Sequence, residues 1–247
     1  MKLCAICPEI NFGHILLAHN RERFMRKYNV LVELGKTIFS PKYGYYKFLK
    51  GIKPGEVFLD IGSGEDAPYL KRIIPKSKYI GVDIIRYDPV LHGTMERYIE
   101  TTPEEFNEII KTLKNSIDVA FSKHNLEHCN NMTETIEAIA LSLKPGGKIF
   151  MVFPSERSVK FPSRRGTLNY YDDKQHKEKP PVFSDVIKTL ENEGIKIEYK
   201  SDAYKPMFLF FIGMMLEPIS ALLRKNMTGT WSFWGFEAVV WGIKDSK

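Results

Sequence analysis

Short apolar runs bounded by turn residues alternate along the chain with longer stretches in which apolar residues recur at helical spacing. A short buried run is typical of a strand, whereas recurrence every three to four residues is typical of a helix. The helices predicted in this way start near 68, 103, 132 and 183. The alternation of the two patterns predicts an α/β fold. The predicted strands cover 57–61, 79–84, 90–92, 117–121, 148–153, 195–199 and 234–243.

The first predicted strand ends in an acid that is followed by two closely spaced glycines, Asp60, Gly62 and Gly64. Glycine adopts positive φ readily and lets a ligand approach the backbone closely. With Ala67, and with Asp83 about 20 residues on, the turn fits the dinucleotide-binding fingerprint. An acid beside the turn would repel a pyrophosphate, however, and suits a ligand that carries positive charge. S-adenosylmethionine is such a ligand, because it has an ammonium and a sulfonium group and no phosphate.

Four segments that contain or follow predicted strands carry acids, glycines or a histidine at their ends. They are Asp60-Ile61-Gly62-Ser63-Gly64, 79–84, 117–122 followed by Leu126-Glu127-His128, and 143–152, which opens with Leu143-Lys144-Pro145-Gly146-Gly147. Together, and in this order, they resemble the motifs of class I S-adenosylmethionine-dependent methyltransferases. The resemblance implies a Rossmann-like, seven-stranded sheet with helices on both faces and an antiparallel last strand.

The resemblance also implies a cofactor site. It places Asp60 and the glycine backbone at the methionine part of S-adenosylmethionine, and Asp83 at two ribose hydroxyls. The loop after the third strand would line the adenine pocket, with Met95 over the ring and Glu96 near the amino group; an ordinary loop is the alternative. Asp66 departs from the family pattern, in which many members have a third glycine. The residues predicted to bind the cofactor are Asp60, Gly62, Ser63, Gly64, Asp83, Ile84, Met95, Glu96 and Ser122.

Two histidines are candidates for a catalytic base, because imidazole titrates near neutral pH. His124 follows the fourth strand, at the edge where open α/β sheets bind ligands. His176 lies in a long segment, 154–181, that is expected to pass over the methyl acceptor, and by resemblance to an Asp-x-x-His element it would take a hydroxyl proton. A solvated polar loop is the alternative for His176, and a structural role is favoured for His128. No set of metal ligands is evident, so metal assistance is not expected.

Composition and charge limit the classes of partner and compartment. The 247 residues are 43% hydrophobic and 27% charged, which is ordinary for a globular α/β protein. The formal net charge of +6 permits an acidic surface as partner without demanding nucleic acid. Three cysteines and the lack of a signal-peptide pattern predict a cytoplasmic protein. Cys4 and Cys7 with His14 and His19 have a spacing similar to that of zinc ligands, but buried thiols are the favoured interpretation.

Two additions to the methyltransferase domain are predicted. Residues 1–50 would form an N-terminal helical cap, with the methyltransferase domain at 51–247. An insertion at 204–232 precedes the last strand and contains an almost wholly apolar segment at 206–223. The segment is too short for a transmembrane helix and contains Glu217, so no membrane span is predicted. Its apolar side chains need a cover, which could be the protein itself, a second copy in a homodimer, or a membrane surface that the protein contacts peripherally.

The function predicted from the sequence is S-adenosylmethionine-dependent methyl transfer to an oxygen or nitrogen of a small-molecule or glycan-type acceptor. Two alternatives belong to other classes. The first is a nicotinamide-dependent oxidoreductase that uses the same glycine turn, and the second is a non-catalytic, methyltransferase-like protein that binds a partner through 206–223. An RNA methyltransferase is a third alternative, supported only by basic residues at 21–27 and in the acceptor-side loop.

Overall fold

The computed structural model describes residues 44–64, 67–85 and 95–246. Most of the predicted N-terminal cap, including Cys4 and Cys7, lies outside the described residues, as does the predicted strand at 90–92. The seven described strands form one sheet in the order β3-β2-β1-β4-β5-β7-β6, in which β7 runs antiparallel to the other six strands. This confirms the predicted methyltransferase sheet. The strands are β1 (Val57–Ile61), β2 (Lys78–Asp83), β3 (Arg97–Glu100), β4 (Ile117–Lys123), β5 (Leu143–Pro154), β6 (Ile195–Ser201) and β7 (Glu237–Lys244).

Seven α-helices fall within the described part of the chain. Most of them alternate with the strands, as a parallel sheet requires, because each crossover must return the chain to the same edge of the sheet. The longest, α6, belongs to the insertion. The helices are α1 (Tyr45–Lys50), α2 (Ala67–Ile73), α3 (Phe106–Lys111), α4 (Met132–Ser142), α5 (Phe183–Asn192), α6 (Met207–Leu222) and α7 (Thr230–Trp234).

The central strands are buried on both faces, which explains why they read as continuous apolar runs in the sequence. Phe58 and Phe121 point to one face, where Phe121 stacks on Phe150 with ring centroids 5.6 Å apart. Leu59 and Ala120 point to the other face and pack with α4 and α5. The two cores therefore hold the sheet between helical layers and leave the strand ends free to carry polar side chains.

The third strand differs from its prediction. The strand that pairs with β2 is Arg97–Glu100, with Asp83 opposite Glu100, whereas the sequence predicted the third strand at 90–92. Its burial pattern shows no fully buried residue, so this edge strand lacks the apolar run that marks the central strands. Met95 and Glu96 consequently precede β3, whereas the sequence predicts them in the loop after the third strand.

The apolar insertion forms two helices that pack closely on each other. Gly213 of α6 lies against Gly229, where a Cβ on Gly213 would be 2.1 Å from the Gly229 carbonyl oxygen, and Phe210 packs on Phe233. Among the described helices, none combines the length and apolar content that a membrane crossing needs. The outer side of α6 remains exposed, including Met215 at 76% and Leu222 at 83%.

One buried ion pair ties the insertion to the acceptor-side loop. The guanidinium of Arg164, whose side chain is 5% exposed, donates two hydrogen bonds to Glu217, at 3.0 and 2.7 Å. Glu217 also accepts a hydrogen bond from Trp234 Nε1 at 3.0 Å. The acid in the middle of the apolar helix is therefore the residue that fixes α6 to segment 154–181.

We expect Arg164→Met to lower the free energy of unfolding by about 3–5 kcal/mol, because it leaves Glu217 charged, largely buried and without its cation. The measurement is urea denaturation at equilibrium. Arg157→Met is the matched control, since Arg157 pairs with Asp202 at the surface, where the two side chains are 61% and 54% exposed. That control should change the free energy of unfolding by less than about 1 kcal/mol. Equal effects of the two substitutions would contradict the structural role of the Arg164 pair.

Candidate cofactor and acceptor site

Polar side chains collect where β1, β2 and β4 end. Ile61 lies beside Val82 on one side and beside Ser122 on the other, so the three strands end at the same edge. The chain adds β2 and then β3 on one side of β1, and after β3 it crosses back to place β4 on the other side, which makes the gap between β1 and β4 the topological switch point of the sheet. Ligands of open α/β sheets bind in the crevice at such a point.

Asp83 at the end of β2 holds the glycine turn in place. Its Oδ2 accepts a hydrogen bond from Gly64 N–H at 3.0 Å, and its Oδ1 accepts one from Ile85 N–H at 3.1 Å. Each carboxylate oxygen has a second lone pair, and these can accept the two ribose hydroxyls predicted from the sequence. Ile84 follows at once and is 46% exposed, which leaves an apolar side chain at this edge.

The two glycines of the turn differ in the space beside their α-carbons. Both have positive φ, +67° for Gly62 and +54° for Gly64. A Cβ on Gly62 would lie 2.7 Å from Asn125 Oδ1, so this glycine makes room for the loop after β4. Among the described residues, a Cβ on Gly64 would meet nothing nearer than 3.8 Å, which leaves space beside this glycine for a ligand.

Two serines at this edge fit a polar cofactor. Ser63 and Ser122 are 3% and 1% exposed, and their hydroxyl oxygens have no hydrogen-bond partner within the described residues. Buried hydroxyls are normally paired, because an unpaired one loses its bonds to water. Together with the open side of Gly64 and the Asp83 carboxylate, these two free hydroxyls fit the polar groups of S-adenosylmethionine.

Asp60 and Met95 are two further residues that the sequence predicts to bind the cofactor. Asp60 is buried and accepts a hydrogen bond from the Tyr79 hydroxyl, so its contact with the methionine part stays a prediction. Met95 lies over Gly81 and near Ser63, which brings it close to the glycine turn.

Glu96, another predicted cofactor residue, lies near the start of β2. It accepts a hydrogen bond from Tyr79 N–H near the start of β2 and pairs with Lys71 at 2.9 Å. The start of β2 is the end opposite to Asp83, so the structure does not bring Glu96 together with the adenine edge. The cause is the shift of the third strand, which puts Glu96 before β3.

His124 is held between two carboxylates. Its Nδ1 lies 3.0 Å from Glu127 Oε1 and its Nε2 lies 3.0 Å from Glu237 Oε1. Burial alone would lower the pKa of His124, but the hydrogen bonds to Glu127 and Glu237 outweigh it and raise that pKa to about 9. Because both ring nitrogens are engaged and the ring is protonated at neutral pH, the structure does not favour His124 as a general base.

His176 lies in an ordered loop and not in a solvated one. Its side chain is 5% exposed and its ring packs on Tyr170, with centroids 4.5 Å apart. The loop itself is fixed by Asp172, which accepts hydrogen bonds from the backbone N–H groups of Arg164, Leu168 and Asn169. The role of His176 as a base stays a prediction.

Sequence reasoning missed two glutamates at this edge. Glu127 is fully buried beside His124, and Glu237 reaches His124 from the first position of β7, 113 residues away. The motif Leu126-Glu127-His128 marked Glu127 only as part of a resemblance. No local pattern signals Glu237, because its position depends on β7 running antiparallel.

The family of the chain follows from comparison with known proteins. The model of a methyltransferase domain family matches residues 17–196, which is well over half of the chain. The chain therefore belongs to this methyltransferase family, and its cofactor is S-adenosylmethionine. Family membership argues against the nicotinamide-dependent oxidoreductase considered above. A comparison with curated proteins finds no match.

Solved structures share the fold at low sequence identity. An S-adenosylmethionine-dependent methyltransferase from Mesorhizobium loti aligns with a TM-score of 0.52 at 13% identity, covering 80% of this chain and 96% of that one. A protein described as a methyltransferase, in complex with the Haloferax volcanii Trm112 methyltransferase activator, aligns with a TM-score of 0.54 at 12% identity, covering 86% and 93%. The [4+2]-cyclase SpnF aligns with a TM-score of 0.50 at 14% identity, covering 82% and 80%. At this distance the likeness concerns the fold alone.

We expect Gly62→Ala to destabilise the protein more than Gly194→Ala, as measured by urea denaturation. Both glycines have positive φ, so both substitutions strain the backbone by about 1 kcal/mol. At Gly62 the new Cβ also meets a side chain, Asn125, whereas no described residue lies within 4 Å of a Cβ on Gly194. Equal losses of stability would show that the contact between Gly62 and the loop after β4 is loose.

Proposed function

We propose that the protein transfers a methyl group from S-adenosylmethionine to an oxygen or nitrogen of a small-molecule or glycan-type acceptor. The observation that carries the cofactor half of this proposal is the Asp83 carboxylate, which holds Gly64 near two buried hydroxyls that have no hydrogen-bond partner in the described part of the chain. The acceptor half is supported by the ordered segment 154–181, which follows β5 and borders the same edge of the sheet.

Each group at the edge has a role in this proposal. Asp83 binds the ribose, and Ser63 and Ser122 donate hydrogen bonds to polar atoms of the cofactor, while Ile84 offers an apolar surface to the adenine. When bound, the cofactor supplies an electrophilic methyl group. The chain contributes alignment of the acceptor with that methyl group, which is the main source of catalysis in a displacement of this kind. His176 would take the proton if the acceptor is a hydroxyl.

We expect S-adenosylhomocysteine to bind the wild-type protein in calorimetric titration and NADH not to bind. Asp83→Ala should weaken binding at least about 100-fold, because two hydrogen bonds to a charged group are worth roughly 1.5–3 kcal/mol each. Asp118→Ala is the matched control, since Asp118 also accepts a backbone N–H bond, from Val57 at 2.8 Å, but at the opposite end of the sheet. The proposed site would be contradicted if Asp83→Ala and Asp118→Ala bound S-adenosylhomocysteine with equal affinity, or if NADH bound in its place.

The exposed side of α6 suggests the kind of surface at which the protein encounters its acceptor. We infer that this side rests on an anionic lipid surface. Its large apolar side chains are flanked by Lys205 before the helix and by Arg224 and Lys225 after it. Apolar side chains with flanking basic residues suit the boundary of an anionic bilayer. In an antiparallel pair of α6 helices from two copies, these same basic ends would face each other and repel.

We expect the protein to sediment with vesicles that contain phosphatidylglycerol and much less with vesicles of phosphatidylcholine alone. Met215→Glu combined with Leu222→Glu should weaken this binding by at least about 100-fold, because each side chain forgoes roughly 1.5–3 kcal/mol of burial. Val182→Glu is the control, since Val182 is an exposed apolar residue outside the insertion, at 41%. A wild-type dimer in light scattering that the double substitution dissociates, without vesicle binding, would overturn the inference in favour of a second copy.

A further inference from the structure

Three side chains of types that can bind a metal ion lie close together at the edge of the sheet, beside segment 154–181. Glu127 and His128 stand in the 3-10 turn directly after β4, and His176 comes from segment 154–181. One ligand-type atom of each lies within 4.8 Å of the corresponding atoms of the other two. The imidazole rings of His128 and His176 have centroids 5.0 Å apart. The sequence did not predict this cluster, because His176 is 48 residues beyond His128 in the chain.

The hydrogen bonds of the two histidines involve Nδ1 of each ring, and the Asp173 carboxylate lies 3.8 Å from Nε2 of His176, beyond hydrogen-bond distance. Nδ1 of His176 lies 2.6 Å from the Tyr170 carbonyl oxygen, and Nδ1 of His128 lies 3.3 Å from the Gln175 carbonyl oxygen. A carbonyl only accepts, so Nδ1 carries the proton in both rings and Nε2 carries the lone pair. Histidines that bind metals characteristically donate the other ring N–H to a carbonyl or carboxylate in this way.

The glutamate of the cluster has an unsatisfied oxygen. Glu127 is fully buried, and its Oε1 accepts a hydrogen bond from His124. Its Oε2 has no hydrogen-bond partner within the described residues. A buried carboxylate oxygen without a partner is costly, and a cation beside two imidazole lone pairs would compensate it. This observation is independent of the histidine geometry and points to the same place.

We propose that Glu127 Oε2, His128 Nε2 and His176 Nε2 bind a divalent transition metal ion of the zinc class. Two imidazoles and one carboxylate form a ligand set typical of catalytic zinc sites, in which a fourth position stays open. In a tetrahedral site with metal bonds of 2.0–2.2 Å, the ligand atoms lie about 3.3–3.6 Å apart. The three ligand atoms here lie within 4.8 Å of one another, so metal binding requires the side chains to move together by roughly 1 Å or a little more.

The open position would face the acceptor side and could bind an acceptor oxygen, which would lower the pKa of a hydroxyl there. This role rests on the proposed function, whereas the binding of the metal does not. The Nε2 lone pair of His176 would then bind the cation and would not serve as a base. His124 would be a positioning residue, because its hydrogen bond to Oε1 directs Oε2 toward the two histidines.

The test is a titration of the metal-stripped 247-residue chain with Co²⁺ and Zn²⁺ in the absence of cofactor. Cys4→Ser and Cys7→Ser are introduced throughout, so that the thiols near the N-terminus cannot contribute. Co²⁺ is followed by its visible absorption, which identifies a tetrahedral site, and Zn²⁺ by its displacement of Co²⁺. His128→Asn and His176→Gln are the test variants. Gln175→Ala is the matched control, because it removes a neighbouring side chain and keeps the carbonyl that His128 uses.

We expect one ion per chain, at least about 10-fold weaker binding in each histidine variant, and unchanged binding in Gln175→Ala. Zn²⁺ should also raise the Tm of the parent protein and of the control, and should not raise that of the histidine variants. Failure of the parent protein to bind either ion, or histidine variants that bind as tightly as Gln175→Ala, would overturn the proposal. Either result leaves the titration with S-adenosylhomocysteine untouched, so failure of the metal site and failure of the proposed function are distinguishable.

Discussion

The site depends first on the carboxylate of Asp83, which binds the ends of two strands and the turn between them into one rigid edge. Gly64 N–H and Ile85 N–H both point at this carboxylate, and Gly64 can do so because φ is +54° there. A charged acceptor with two backbone donors is a strong and directional contact. Each carboxylate oxygen keeps a second lone pair, so the group that fixes the turn also offers the acceptors that the proposed ribose contact requires.

Much of the cofactor side of the site, around Asp83 and the glycine turn, could be predicted from the sequence. The residues that mark it lie close together in the chain. Buried strands such as Val57–Ile61 stand out as apolar runs, and the glycines and acids that follow them lie within a few residues. The exception is instructive. The edge strand Arg97–Glu100 is only partly buried and carries charged residues at both ends, so it has no apolar signature, and the sequence predicts the third strand at 90–92 instead. Misplacing that strand by a few residues was enough to assign Glu96 to the wrong end of β2.

The acceptor half could not be predicted in the same way, because its contacts join residues that are far apart in the chain. His124 and Glu237 are 113 residues apart, and Arg164 and Glu217 are 53 residues apart. Neither pair leaves a periodic or spaced pattern in the sequence. A histidine after a strand and an acid in an apolar helix each looked like an isolated feature, and only the folded chain gives each of them its partner.

The antiparallel strand explains why these distant residues converge. Since β7 runs against its neighbours, it starts where the parallel strands end, with Glu237 opposite Pro154. Strand β6 ends at that same edge, beside Val239, so the chain between β6 and β7 must leave and return there. The insertion that fills this connection is therefore confined to the acceptor side, and Trp231 packs on His124 with ring centroids 5.3 Å apart. A single inverted strand thus brings Glu237 and the connection that carries the apolar helix to the edge where His124 ends β4.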